Sequence, residues 1–180
     1  MGADIKIKEE LIRKSEELVD LIEGFEEGIR QNDEEACKKI SHQLDQIGFY
    51  LVDHIPNLSG DDLAYARFMM GSLCSVLRMW PQAEEAYNKA LEHWPDHVGL
   101  LNEYYICLME LERYEDALSV IKRSIKHGGE TPDVLQNLAA VLARLGKTSE
   151  AKVVLINSSA RFPDDAETRE MLAELDRMTV

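Results

Sequence analysis

His93 and His97 stand four residues apart, a spacing that can place two imidazoles on one face of a helix as metal ligands. Pro95 lies between them and interrupts any such helix, and apart from the adjacent Asp96 no Cys, Asp or Glu completes a ligand set. The pair therefore reads as histidines at a surface helix end, near its carbonyl pole. Cys37, Cys74 and Cys107 are three cysteines at wide spacing with no CxxC pair. That pattern argues against a disulfide framework or a zinc knot and for a reducing compartment. A cysteine nucleophile needs a positioned histidine, and none is near Cys74 or Cys107 in sequence. Gly128-Gly129 lacks the GxxxxGK[ST] frame of a phosphate-binding loop. Paired carboxylates abound, but on charged helices they read as solvated faces. The residues that could do chemistry thus predict no enzyme, no cofactor and no metal.

The charge balance narrows the partners. Lys plus Arg is 20 against 34 Asp plus Glu, a net charge of -14 over 180 residues. An acidic field repels phosphate backbones and anionic lipid, which argues against nucleic acid and polybasic membrane docking and favours apolar or basic partners. No apolar run approaches the ~20 residues of a membrane span. The N-terminus lacks a secretory apolar core, and Lys6 stands where myristoylation after Gly2 wants Ser or Thr. A soluble, cytoplasmic chain is expected.

The elements that position these residues repeat. Shifted by 34, the last two-thirds of the chain falls onto itself. Ala83, Ala117 and Ala151 align, as do Tyr87, Ile121 and Leu155, and Ala90, Ser124 and Ser158. Upstream columns hold Met70, Tyr104 and Leu138; Gly71, Tyr105 and Ala139; Cys74, Leu108 and Leu142; and Leu77, Leu111 and Leu145. Trp80 and Tyr114 share a column with Thr148, and Pro95 and Pro163 sit two periods apart with Gly129 between. Within each half-unit apolar residues recur at three and four, the helical spacing shown by Leu135, Leu138, Leu142 and Leu145. Breakers at Arg78 to Pro81 and at Gly146 split each unit in two. Ser59, Asp96 and Thr131-Pro132 read as starts of first helices, and Asp164 to Glu167 has capping-box spacing. Each unit is therefore a helical hairpin whose small columns let two helices approach closely. One hairpin cannot bury its apolar face alone, so the units must stack.

These columns carry a resemblance to the tetratricopeptide repeat (TPR), with copies at 64–97, 98–131 and 132–165. Met70-Gly71, Trp80, Ala83, Tyr87, Ala90 and Pro95 give the pattern in the first copy. Arg67 departs from it where a large apolar residue is usual, Ser124 and Ser158 replace an alanine, and Gly128-Gly129 replaces a proline. That last change predicts an early end and a different turn for the second copy's second helix. The resemblance implies an all-α fold, a right-handed α-α superhelix (TPR solenoid) of stacked hairpins, with first helices lining a concave face that holds ligands. Carried across, the lining positions are Tyr65, Phe68, Met69 and Ser72 in the first copy; Asn102, Ile106 and Met109 in the second; and Gln136, Asn137, Ala140 and Arg144 in the third. Phe68 and Asp133 stand where some family members place the cations of a carboxylate clamp, so such a clamp is not expected. A groove of Met, aromatic and amide side chains suits an apolar extended strand or one face of a helix. The alternative for Phe68 and Met69 is inward packing against the N-terminal helices.

The two ends complete the domain plan. Residues 1–57 read as a helical hairpin, with Ile7, Leu11, Leu18, Ile22, Phe25 and Ile29 on the stripe of a first helix over 4–31. Asn32 with Glu35 restarts the chain into a second helix carrying Ala36, Ile40, Leu44, Ile47 and Leu51, so the hairpin is also a candidate degenerate repeat. Its stripe has two uses, packing on the first repeat or pairing with a second copy as a homodimer. Residues 62–180 hold the three repeats and a capping helix at 166–178 with Met171, Leu172, Leu175 and Met178 on its apolar side. The functional expectation is an adaptor or assembly scaffold binding a peptide segment. The alternative is a dedicated chaperone similar to the translocator chaperones of type III secretion, which share this layout and acidity.

Overall fold

In the computed structural model, which describes residues 2–178, helices account for nearly the whole chain. They are α1 (Gly2–Gln31), α2 (Glu34–His54), α3 (Gly60–Val76), α4 (Trp80–Leu91), α5 (Val98–Glu110), α6 (Tyr114–Lys126), α7 (Pro132–Arg144), α8 (Thr148–Arg161) and α9 (Ala166–Met178). A 3-10 turn, Ile55–Asn57, follows α2 at Pro56. No strand occurs among the described residues. Met178, expected on the apolar side of the last helix, has its side chain outside the described residues.

The hairpin turns explain the period. Arg78, Glu112 and Gly146, spaced by 34, all take the left-handed conformation, with φ of 56°, 58° and 72°. At each, the next amide donates five residues back: Met79 to the carbonyl of Cys74, Arg113 to that of Leu108 and Lys147 to that of Leu142. The left-handed residue itself donates to Ser75, Met109 or Ala143. This is the Schellman closure, which satisfies the orphan carbonyls of a helix end and turns the chain back at once. Asn32, at φ 55°, does the same between α1 and α2, with Asp33 donating to Gly28 and Asn32 to Ile29. The N-terminal hairpin therefore shares the turn of the repeats.

Contacts divide the chain into two compact units, Met1–Pro95 and Asp96–Val180. In the first, α1 pairs with α2, α3 pairs with α4, and both α1 and α2 pack on α3. Leu11, Leu18 and Leu21 of α1, Leu44, Ile47 and Leu51 of α2, and Ala66, Met69 and Leu73 of α3 share one core. Burying a side chain of this size contributes about 1.5–3 kcal/mol, which is what holds the N-terminal hairpin to α3. In the second unit α5 pairs with α6 and α7 with α8; α6 also packs on α7, and α9 closes on α8 and α7.

The aligned columns are the contact points of these hairpins. Ala83, Ala117 and Ala151 are fully buried, as are Tyr87, Ile121 and Leu155 and the column of Ala90, Ser124 and Ser158. The two serines that replace alanine each have a local partner: Ser124 Oγ donates to Asn102 Oδ1 at 2.6 Å, and Ser158 Oγ lies 3.5 Å from Thr168 Oγ1. At Gly71 an added Cβ would come within 2.3 Å of the Tyr87 ring, so α3 and α4 meet there without room for a methyl group. The N-terminal hairpin has its own version, since a Cβ on Gly28 would lie 2.9 Å from Cys37 Sγ.

Several helix starts differ from the sequence expectation by one residue. Asp33, not Asn32, caps α2 by accepting from the Ala36 amide at 3.0 Å, because Asn32 is taken up by the left-handed turn. His97, not Asp96, caps α5, its Nδ1 accepting from the Leu100 amide at 3.1 Å. Asp165, not Asp164, caps α9, accepting from the Thr168 amide at 3.0 Å. Thr131 caps α7 as its Thr-Pro pair suggests, and Ser59 precedes α3 without a side-chain cap bond. The Gly128-Gly129 step does not shorten α6, which runs to Lys126. It changes the turn instead, through φ 102° at Gly128 and a buried Gly129 whose Cβ would meet Ser124 and Val98.

Candidate functional site

The four lining positions on α3 meet different fates. Tyr65 is half-buried; its hydroxyl donates to Ser15 Oγ of α1 at 2.6 Å, and its ring tilts on Trp94 at 6.2 Å. Met69, only 4% exposed, belongs to the core shared with α1 and α2. Phe68 is half-buried and tilts on Tyr87 of its own hairpin at 6.2 Å. Ser72 is half-buried. The apolar stripe of α1 and α2 thus occupies much of this part of the expected lining. Trp94, at the end of the first repeat, is a staple: its indole Nε1 donates to Asp61 Oδ1 at 2.9 Å, tying the end of α4 to the start of α3.

The positions on α5 and α7 form a more open surface. Asn137 Nδ2 donates to Tyr105 Oη at 2.9 Å, a bond that links α7 to α5. Ile106 is 42% exposed, an unusual exposure for a residue on an otherwise buried helix. Met109 lies a turn further on, half-buried, while Ala140 and Arg144 continue the stripe of Asn137 along α7, half-buried and exposed. Asn102 is half-buried and accepts the Ser124 hydroxyl, so its amide supports the α5–α6 contact. Burial raises the Tyr105 hydroxyl above its ordinary pKa against the opposing effect of the Asn137 bond, which keeps it a neutral acceptor for Asn137.

Gln136 departs from the expectation. It is 6% exposed, and its Nε2 donates to Asp165 Oδ2 at 2.9 Å and Thr168 Oγ1 at 3.1 Å. A buried amide must find such partners or lose about 1–3 kcal/mol, so this side chain ties α7 to the cap of α9 and does not face a ligand. The Thr168 hydroxyl and amide, with Gln136, hold the Asp165 carboxyl below its ordinary value of 3.8. The signal for this cluster was in the sequence as Asp165-x-x-Thr168. Its partner Gln136 lies a full repeat away and had no local signal.

Between α7 and α9, Ala139, Ala140, Ala143, Met171, Glu174 and Leu175 line a cavity of about 130 Å³. A shallower cleft of about 390 Å³ lies on the other side of α7, where Leu138 and Leu142 form a floor between Lys122 of α6 and Val153 of α8. The candidate chemical groups have structural duties. His97 caps α5, Cys107 is fully buried, and burial raises the Cys74 thiol, which disfavours the thiolate a nucleophile needs. No group of three potential metal ligands occurs among the described residues, and no helix there is long and apolar enough to cross a membrane.

Hairpins closed by left-handed turns every 34 residues, with fully buried small columns between their helices, define a helical-repeat protein of the TPR type. Comparison with solved structures agrees. A MamA double mutant from strain RS-1 superposes with a TM-score of 0.66 at 14% identity, covering 92% of this chain and 85% of that one. YrrB, described as a TPR protein with an unusual peptide-binding site, gives 0.62 at 18% identity over 88% and 84%. The first TPR of Spaghetti (RPAP3), bound to the HSP90 peptide SRMEEVD, gives 0.59 at 16% identity over 64% and 92%. The fold is therefore a TPR solenoid. The family model of the coatomer epsilon subunit matches residues 81–178, just over half the chain, and the chain belongs to that family. No curated protein sequence matches it.

Proposed function

We propose that this chain is a protein-interaction adaptor or assembly scaffold that holds a segment of another protein on the exposed face of α5 and α7. It acts by binding rather than catalysis, and from the cytoplasm, where its three free cysteines would stay reduced. The domain plan behind this reading is an N-terminal hairpin at 1–57, repeats at 64–97, 98–131 and 132–165, and a cap at 166–178.

One observation carries the proposal: Ile106 stands 42% exposed on α5, an apolar side chain open to solvent on a helix whose neighbouring Tyr105 is hydrogen-bonded to Asn137 of α7. Apolar side chains anchor a bound segment, and amides both donate to and accept from its backbone. Asp133 and Glu110 are exposed nearby on the same helices, so the segment is apolar or basic, unlike the acidic peptide held by the RPAP3 repeat. Peptide sites in two similar TPR structures, and a family named for a subunit of a larger assembly, support the same class of function.

The test is a comparative pull-down with Ile106→Glu, Arg144→Glu and, as a control on α8, Val153→Glu, each checked for native helicity. Partners recovered by the wild type and Val153→Glu should disappear with Ile106→Glu. Equal recovery by a folded Ile106→Glu variant refutes the site. Asn102→Ala is a poor probe, because it strips the buried Ser124 hydroxyl of its acceptor.

A further inference from the structure

α1 buries one face against α2 and α3 and leaves another uncovered. On the uncovered face Ile12 is 47% and Val19 is 55% exposed, one heptad apart. Glu9, Glu16 and Glu23 follow the same seven-residue interval, so each apolar side chain is bracketed by a glutamate three residues before it and another four residues after it. All three glutamates are exposed and form no ion pair among the described residues. Most cations of the helix are committed elsewhere: Arg13 to Glu10 and Glu17, Lys14 to Glu17, Arg30 to Glu27, and Lys8 to Asp62 of α3; the exposed Lys6 precedes the stripe, three residues before Glu9. An apolar stripe with uncompensated carboxylates is thus left facing outward on a chain of net charge -14.

A second copy of the chain is a poor occupant, since pairing this face with itself sets glutamates against glutamates. A cationic partner relieves the repulsion and covers the apolar pair together. We propose that this face of α1 docks a basic amphipathic helix of a partner protein, with its apolar side chains seated on Ile12 and Val19 and its Lys or Arg residues paired with Glu9, Glu16 and Glu23. Helix-on-helix packing through heptad positions supplies the register, and the charges supply the choice of partner and a fast, salt-sensitive association. This surface is independent of the α5–α7 face proposed above.

The test uses the full chain and a synthetic 21-residue amphipathic peptide, about six helical turns, with Leu on one face and Lys on its flanks; a second peptide carries Glu in place of Lys. Binding is read by fluorescence anisotropy, and peptide helicity by circular dichroism. The basic peptide should bind and gain helicity, weakening as salt rises, while the acidic one should not bind. Ile12→Ser/Val19→Ser and Glu9→Gln/Glu16→Gln/Glu23→Gln should each weaken binding about tenfold. The control Glu115→Gln/Glu150→Gln/Glu170→Gln, with the same change in net charge, should weaken it less than about twofold by general screening. Equal weakening by the control triple would show general acidity and overturn the proposal. So would equal binding of the acidic peptide, or a wild-type dimer in sedimentation that Ile12→Ser/Val19→Ser converts to monomer.

Discussion

At Gly71 the fold leaves no space for one methyl group, because the Tyr87 ring lies 2.3 Å from where a Cβ would stand. Tyr87 is fully buried and its hydroxyl is 3.0 Å from Ser75 Oγ, so the ring cannot retreat without losing that bond. Gly71→Ala should therefore destabilise by about 1–3 kcal/mol in denaturant titrations, although alanine is the better helix former. The same logic at Gly28 allows a rescue. Gly28→Ala should destabilise through its contact with Cys37 Sγ, and Cys37→Ala in the same chain should restore most of the loss. Asp165 sets a pH dependence. Its folded carboxyl lies below the ordinary 3.8, so its stabilisation of α9 is complete above that value and is lost as pH falls through the folded pKa. Protection factors of the α9 amides, which correct for intrinsic exchange, should fall below about pH 4 in the wild type and be low already at neutral pH in Asp165→Ala.

At the scale of the element, the hairpin turns are the most repetitive feature and the least uniform in residue type. Only Gly146 is a glycine, while Arg78 and Glu112 adopt the same left-handed backbone with a side chain attached. That conformation costs an L-residue roughly 1–2 kcal/mol. Arg78→Gly and Glu112→Gly should each stabilise the fold by about 0.5–1 kcal/mol after the greater freedom of the unfolded glycine is deducted, and Gly146→Ala should destabilise it by a similar amount. The buried small columns carry the opposite constraint. They set how closely paired helices approach, so the serines at two of these positions are tolerated only with Asn102 and Thr168 to accompany them.

For the molecule as a whole, charge is the dominant long-range property. A net charge of -14 on 180 residues repels itself, and added salt screens that repulsion. The thermal midpoint should rise between about 20 and 300 mM sodium chloride, a range over which the screening length falls from well above to below 10 Å. Association with a basic partner should weaken over the same range. The opposite salt dependence of folding and binding separates the two effects within one set of buffers.

The helices, their 34-residue spacing and the small columns were legible in the amino-acid sequence, because helical periodicity and steric size are local properties that repeat with the unit. The resemblance carried on those columns led to the TPR fold. Cap positions were legible to within one residue, since Asp33, His97 and Asp165 compete with adjacent polar residues and only the closed turn decides between them. Which first-helix residues remain available to a partner was not legible. Met69 is covered by the core of α1 and α2, and Gln136 is spent on Asp165 and Thr168, in each case by side chains distant in sequence. A position on a helix face says where a side chain is presented. Whether something else already occupies that space is settled by long-range packing, and so only by the tertiary structure.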